Sequence, residues 1–295
     1  MTNQNKAYLL ALLAVLFWST MSSAFKLTLQ YIEFDRLLLW SSLFGAIVLL
    51  IINQIGKTPF RFKNLSGKDY LSSAIMGFFN PFLYYLVLFK AYELLEAQIA
   101  GTLNYTWPLT LVIMSAIFLK QKIRLLSYVA ILISFIGIVI ISTKGSLTSF
   151  NDSNITGVIL AVVSSVFWAS YWIMNIKDKR EETGKIMLNM LFGFAFILIY
   201  LLITSRSIAL PKGYALLGTV YIGLFEMSIT FVIWLLALKN SMNTAKVSNL
   251  IFLSPFFALI FIRFTVHETI HLATIIGLVF IVGGIMFQRF IKTTD

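Results

Sequence analysis

Cysteine is absent from this 295-residue chain, which excludes a disulfide framework, a thiolate nucleophile and a thiolate metal site. Charge is scarce, at 12% of residues against about 25% in an average soluble domain. Histidine occurs only twice, at His267 and His271. Apolar residues fill the space, at 59% of the chain. A soluble core of this length cannot bury so much apolar surface, so the expected solvent is lipid. The net charge of +11 would suit nucleic acid. The basic residues sit between long apolar runs, however, where they set membrane topology, and no nucleic-acid partner is expected.

Ten apolar segments approach the roughly 20 residues that a spanning helix needs. They lie near 7–28, 36–55, 70–92, 97–119, 125–143, 155–176, 186–205, 213–238, 243–264 and 270–290. The runs are continuous rather than alternating, which predicts helices and not barrel strands. The expectation is an all-α membrane protein of ten transmembrane helices. Lys6 before the first run resembles the start of a signal peptide. The run is long enough to span and no cleavage site follows, so an uncleaved helix is expected. Most basic residues fall on one side of this layout, among them Lys57, Arg61, Lys63, Lys68, Lys120, Lys122, Arg124, Lys177, Lys179 and Arg180. That side is expected to be cytoplasmic, with both termini on it. The Lys57–Lys68 loop is expected to meet anionic membrane lipid.

The two halves carry one pattern. Ala97 and Ala245 open it; Pro108, Gln121 and Gly137 then match Pro255, Glu268 and Gly284, each 147 residues later. Upstream, Gly77, Asn80 and Ala91 match Gly223, Glu226 and Ala237. Five spans per half is an odd number, so the second half is expected to insert inverted. The expected division is 1–143, an external linker at 144–154, and 155–295. An internal repeat in a membrane protein points to a secondary transporter with its site at the repeat interface.

With those residues in view, the chain resembles the ten-helix branch of the drug/metabolite transporter superfamily, built from two EamA repeats. It departs from the pattern at Gln121, where the usual acid survives only in the second half, as Glu268. Trp18-Ser19-Thr20-Met21, Asn104-Tyr105-Thr106-Trp107-Pro108 and Phe167-Trp168-Ala169-Ser170-Tyr171 look closest to bacterial aromatic amino-acid exporters. The resemblance implies export of amino acids or related small metabolites across a bacterial cytoplasmic membrane, with no cofactor. It also implies a central cavity between the first, third, fourth, sixth, eighth and ninth spans, with the fifth and tenth as struts.

Glu226 is the outstanding candidate. It lies mid-span in a stretch with no other charge between Lys212 and Lys239. A charge at the bilayer centre costs about 2.5–3.5 kcal/mol even on lenient scales, so burial, protonation or pairing is expected. Asn80, its repeat partner, is expected to face it. Gly101, Asn104, Tyr105 and Pro108 recur at helical spacing, so that face should line the cavity. Pro108 and Pro255 each remove a backbone hydrogen bond and mark candidate hinges. Ser22 lies on a small polar stripe of the first span, with Ser19, Ser23 and Lys26. Trp107, Trp168 and Tyr171 suit an aromatic or apolar substrate, or equally a cation. Gly277, Gly283 and Gly284 leave a smooth patch for the fifth span or for a second copy of the chain.

One competing motif is His267-Glu268-Thr269-Ile270-His271, which fits H-E-x-x-H. On a helix it would set two imidazoles on one face, as in zinc proteases. A third ligand is lacking and the motif falls in an expected loop, so no metal is expected. Gly56-Lys57-Thr58 lacks the upstream glycine of a P-loop, since Ile51 stands there. A gradient, or the substrate itself, is therefore the expected driving force.

Overall fold

The computed structural model describes residues 3–55, 65–118, 125–145, 154–242, 247 and 249–290. Lys57, Arg61, Lys63, Lys120, Gln121, Lys122, Arg124, Ala245, Lys246 and most of the expected linker lie outside the described residues. Among the described residues the fold is all helical. The helices are α1 (Asn3–Thr28), α2 (Phe34–Ile55), α3 (Gly67–Gly77), α4 (Tyr84–Leu94), α5 (Ala97–Asn104), α6 (Trp107–Phe118) and α7 (Leu125–Ser142). They continue as α8 (Ile155–Lys177), α9 (Glu182–Ile203), α10 (Gly213–Phe225), α11 (Ile229–Asn240), α12 (Ser254–Thr265) and α13 (Leu272–Phe290). A π-helical segment, Phe78–Leu83, joins α3 to α4, and a 3₁₀ turn, Asn249–Leu253, leads into α12.

Local chemistry sets several of these boundaries. Ser66 and Asp69 form a reciprocal capping box at the start of α3. Asn154 caps α8 through Gly157 N, and Glu181 caps α9 through Thr183 N and Gly184 N. The outer surface is apolar: Leu132, Phe135, Leu202, Phe264 and Val279 are all exposed. Water would penalise such a belt, whereas hydrocarbon solvates it.

Six stretches are long and apolar enough to cross a membrane: Asn3–Thr28, Phe34–Ile55, Gly67–Leu94, Ile155–Asn175, Glu182–Ile203 and Gly213–Asn240. Three shorter apolar helices accompany them. Among the described residues, α7 and α13 nearly fill the expected 125–143 and 270–290 spans. The expected 97–119 helix is broken at Tyr105–Thr106, and the described part of the expected 243–264 helix includes the 3₁₀ turn Asn249–Leu253.

The halves interlock. α1 packs on α10, α11 and α12, while α8 packs on α4, α5 and α6. Glycines permit two close crossings between halves. A Cβ on Gly223 would meet Gly45 N at 3.1 Å, and a Cβ on Gly77 would meet Gly193 N at 2.9 Å. α7 and α13 pack on each other beside this core. There Gly277 lies against Gly137, and Gly284 against Ala130. Of the expected smooth patch, only Gly283 has open space beyond its Cα.

Candidate functional site

The site lies where the central helices break. Glu226 follows the last residue of α10, and α11 resumes at Ile229. Ser228 Oγ donates to Gly223 O and Leu224 O, both at 2.9 Å, which satisfies carbonyls freed by the break. The matching position in the first half, Asn80, has non-helical φ −146° and ψ 117° inside the π segment. The breaks at Tyr105–Thr106 and at the 3₁₀ turn before α12 follow the same repeat. Pro108 and Pro255, the candidate hinges, lie next to these breaks rather than inside continuous helices. They sit in the first turns of α6 and α12. Proline suits that position because its missing N–H would have no helical partner there.

A cavity of about 300 Å³ opens between the broken helices. Its lining comes from α1, α4, α5, α6, α8 and α11, together with Tyr105, Glu226 and Ile251. Six of the eight expected binding residues line it: Ser22, Asn104, Tyr105, Trp107, Trp168 and Glu226. Asn80 and Tyr171 do not. They line a second, smaller cavity with Tyr85, Asn189 and Phe231, because the chain turns at Asn80 and directs it behind α4.

Aromatic rings form the walls. Trp168 stacks near Tyr84 at 4.6 Å and Phe231 at 6.0 Å between centroids. Trp18 meets Phe231 and Trp234 edge-on at 5.8 and 5.5 Å. The polar groups inside are few and fixed. Asn104 Nδ2 donates to Tyr84 Oη at 3.0 Å, and Ser22 Oγ lies 2.7 Å from Tyr92 Oη. Tyr85 Oη donates to Glu226 Oε1 at 2.9 Å. Glu226 is 9% exposed, and its Oε2 has no protein partner. The indole N–H groups of Trp168 and Trp172, also buried, have none either. No basic side chain lines the cavity among the described residues.

Sequence reasoning missed Tyr84, Tyr85 and Tyr92. Their signal was available: three phenols in one apolar run, each needing a partner when buried. Lys26 lies outside the cavity; its Nζ donates to Tyr92 O at 3.0 Å and Leu95 O at 2.5 Å.

Away from the cavity, a polar cluster ties α5 to the loop after α12. The Glu268 carboxylate accepts from Ala97 N at 2.7 Å and Gln98 N at 3.1 Å, capping α5 from 171 residues away. Gln98, fully buried, accepts from His271 N at 2.9 Å and donates to Thr269 O at 3.0 Å. Glu96 receives Lys144 Nζ and lies against His271 Nε2, both at 2.8 Å. Burial opposes ionisation of Glu96. Lys144 and His271 outweigh it and hold that carboxyl below its ordinary range. The H-E-x-x-H string is therefore not helical. It runs as an irregular loop with His267 at φ +62°, so its imidazoles do not share a helix face.

A multi-pass helical bundle with an aromatic cavity at paired helix breaks defines the class of a membrane transporter. The model of the EamA-like transporter family matches residues 5–143 and again 155–289, and the chain belongs to that family, with two EamA repeats. It is similar to an uncharacterized transporter of Clostridium kluyveri, 27% identical over 95% of this chain and 91% of the relative. It is also similar to uncharacterized transporters of Archaeoglobus fulgidus (24% identical, covering 95% and 96%) and Bacillus subtilis (YoaV, 24% identical, covering 83% and 84%). A solved crystal structure shares the fold at a TM-score of 0.68 and 20% identity, covering 97% of this chain and 98% of its own.

Proposed function

We propose that the protein is a secondary transporter that exports aromatic or hydrophobic amino acids, or closely related amines, from a bacterial cytoplasm by alternating access. In this reading the chain crosses the inner membrane ten times as two inverted sets of five, with both termini inside. One observation carries the substrate class. The cavity pairs an unpartnered carboxylate oxygen, Glu226 Oε2, with the unpartnered indole N–H groups of Trp168 and Trp172. The carboxylate is the charge complement of a substrate ammonium. The rings of the same cavity match an apolar side chain. Asn80 and Tyr171 support the site from behind, and Pro108 and Pro255 begin the half-helices that move.

A second reading is exchange of organic cations. It draws on the absence, among the described residues, of any basic side chain from the cavity lining, which leaves Glu226 and the rings as a cation site. Counterflow in proteoliposomes separates the two. Labelled phenylalanine should enter vesicles preloaded with unlabelled aromatic amino acids. Labelled lipophilic cation should not enter such vesicles faster than it enters empty ones. Cation exchange without any amino-acid counterflow would replace the first reading with the second.

A further inference from the structure

Away from the substrate cavity, the start of α3 and the end of α8 stand apart around a recess of about 630 Å³. Lys68, Asp69 and Ser72 line it from α3, and Met174 and Lys177 from α8. Asp178, Lys179 and Arg180 line it from the turn into α9. Four cations thus face two carboxylates, and both carboxylates are already engaged. Asp178 Oδ2 accepts from Arg180 Nε at 3.0 Å and Nη2 at 2.5 Å. Asp69 Oδ2 accepts from Ser66 N at 2.8 Å and Ser66 Oγ at 2.6 Å. Arg180 Nη1 also donates to Asp69 O at 3.0 Å, which ties the α8–α9 turn to α3. Lys68, Lys177 and Lys179 remain. All three are exposed, and among the described residues their ammonium groups make no ion pair or hydrogen bond. Like charges held around one recess repel, and an anion seated between them removes that cost.

The recess runs on into the apolar belt. Ser72 and Ile75 follow Lys68 along one stripe of α3, and Met174, Ser170 and Phe167 follow Lys177 along one stripe of α8. Ile75, and Val166 beside Ser170, are exposed with the rest of the belt. The two stripes close on each other at Phe79 and Phe167, whose ring centroids are 6.3 Å apart. The result is a crevice with a cationic mouth, small serines beneath it and an apolar floor. A soluble phosphate would use only the mouth. A phospholipid uses all of it, and basic pockets between membrane helices suit anionic head groups.

We propose that this crevice binds an anionic phospholipid, with the phosphate among Lys68, Lys177 and Lys179 and an acyl chain along Ile75 toward Phe79. α3 belongs to the first repeat and α8 to the second, so the bound lipid bridges the two halves. The site is separate from the substrate cavity and does not depend on which substrate that cavity takes.

Native mass spectrometry of the full chain in detergent tests this, with equimolar phosphatidylglycerol and phosphatidylcholine as probes. Wild type should retain phosphatidylglycerol at least tenfold better than phosphatidylcholine. Lys177→Gln with Lys179→Gln should weaken phosphatidylglycerol binding at least tenfold. Lys6→Gln with Lys239→Gln removes the same charge from exposed lysines outside the crevice, and should change it less than twofold. Ser170→Trp, which fills the crevice with every charge in place, should weaken it at least threefold. Equal binding of the two lipids would overturn the proposal. Equal losses in the two double variants would do the same, since the attraction would then belong to net charge and not to a site. Undiminished binding in Ser170→Trp would also contradict it, because the recess would then hold a phosphate head group alone.

Discussion

Glu226 and Tyr85 form the pair on which the site is built. The tyrosine is 1% exposed, and its hydroxyl is the partner of one carboxylate oxygen. Tyr85→Phe leaves that oxygen buried without a donor, a loss of about 1–3 kcal/mol. Glu226→Gln costs less, because the amide oxygen still accepts from Tyr85. Thermal unfolding of the two variants in detergent should therefore rank Tyr85→Phe as the less stable. The opposite order would mean that the hydrogen bond is not made. A lone acid in an apolar run was legible in the sequence because charge in lipid is expensive whatever surrounds it. Tyr85 was not, since a phenol in a hydrophobic run reads equally as core. Asn80 was legible through the repeat, but the side of α4 it faces depends on a backbone turn that no periodicity encodes.

Between elements, the contacts that hold the halves together are of two kinds. The glycine crossings are steric. A Cβ on Gly223 would approach Ser41 O at 2.7 Å, whereas one on Gly283 meets nothing within 4 Å. Gly223→Ala should cost about 1–3 kcal/mol by overpacking. Gly283→Ala should be neutral, or stabilising by up to about 1 kcal/mol through helix propensity. Equal stabilities would contradict the crossing. The polar cluster around α5 is electrostatic and pH-dependent. The Glu96 carboxyl is depressed, so its contribution is fully present above the ordinary carboxylate range and disappears as pH falls through its folded value. The gap in unfolding temperature between wild type and Glu96→Gln should be widest near neutral pH and close in acid; a constant gap would exclude the ion pairs as its cause. Glu268→Ala should destabilise at neutral pH by about 1–2 kcal/mol, as loss of a helix cap does. The prolines marked where the fourth and ninth segments change direction, though not that the helices stop there. The break at Glu226 has no proline, and only the repeat could have placed it. The capping role of Glu268 was hidden for a simpler reason: its partners lie 171 residues away, and a local match to a zinc motif competed with it.

The two halves interlock, and both line the aromatic cavity. Ser22, Tyr84, Asn104 and Trp107 come from the first half, and Trp168, Glu226, Phe231 and Trp234 from the second. A site shared in this way changes shape when one half moves against the other, which is the geometric requirement of alternating access. The helix-forming runs and the duplication were legible because hydropathy and repeated prolines and glycines carry them directly; the helices that surround the cavity were legible only through the resemblance to the family. The breaks inside the spans were not, because hydropathy runs on through a helix break. The most direct test is phenylalanine counterflow by wild-type and Glu226→Gln protein in proteoliposomes. The account predicts saturable counterflow in wild type and at least a tenfold loss in the variant at equal reconstitution. Undiminished counterflow in Glu226→Gln would contradict it, since the carboxylate would then have no part in carrying the substrate.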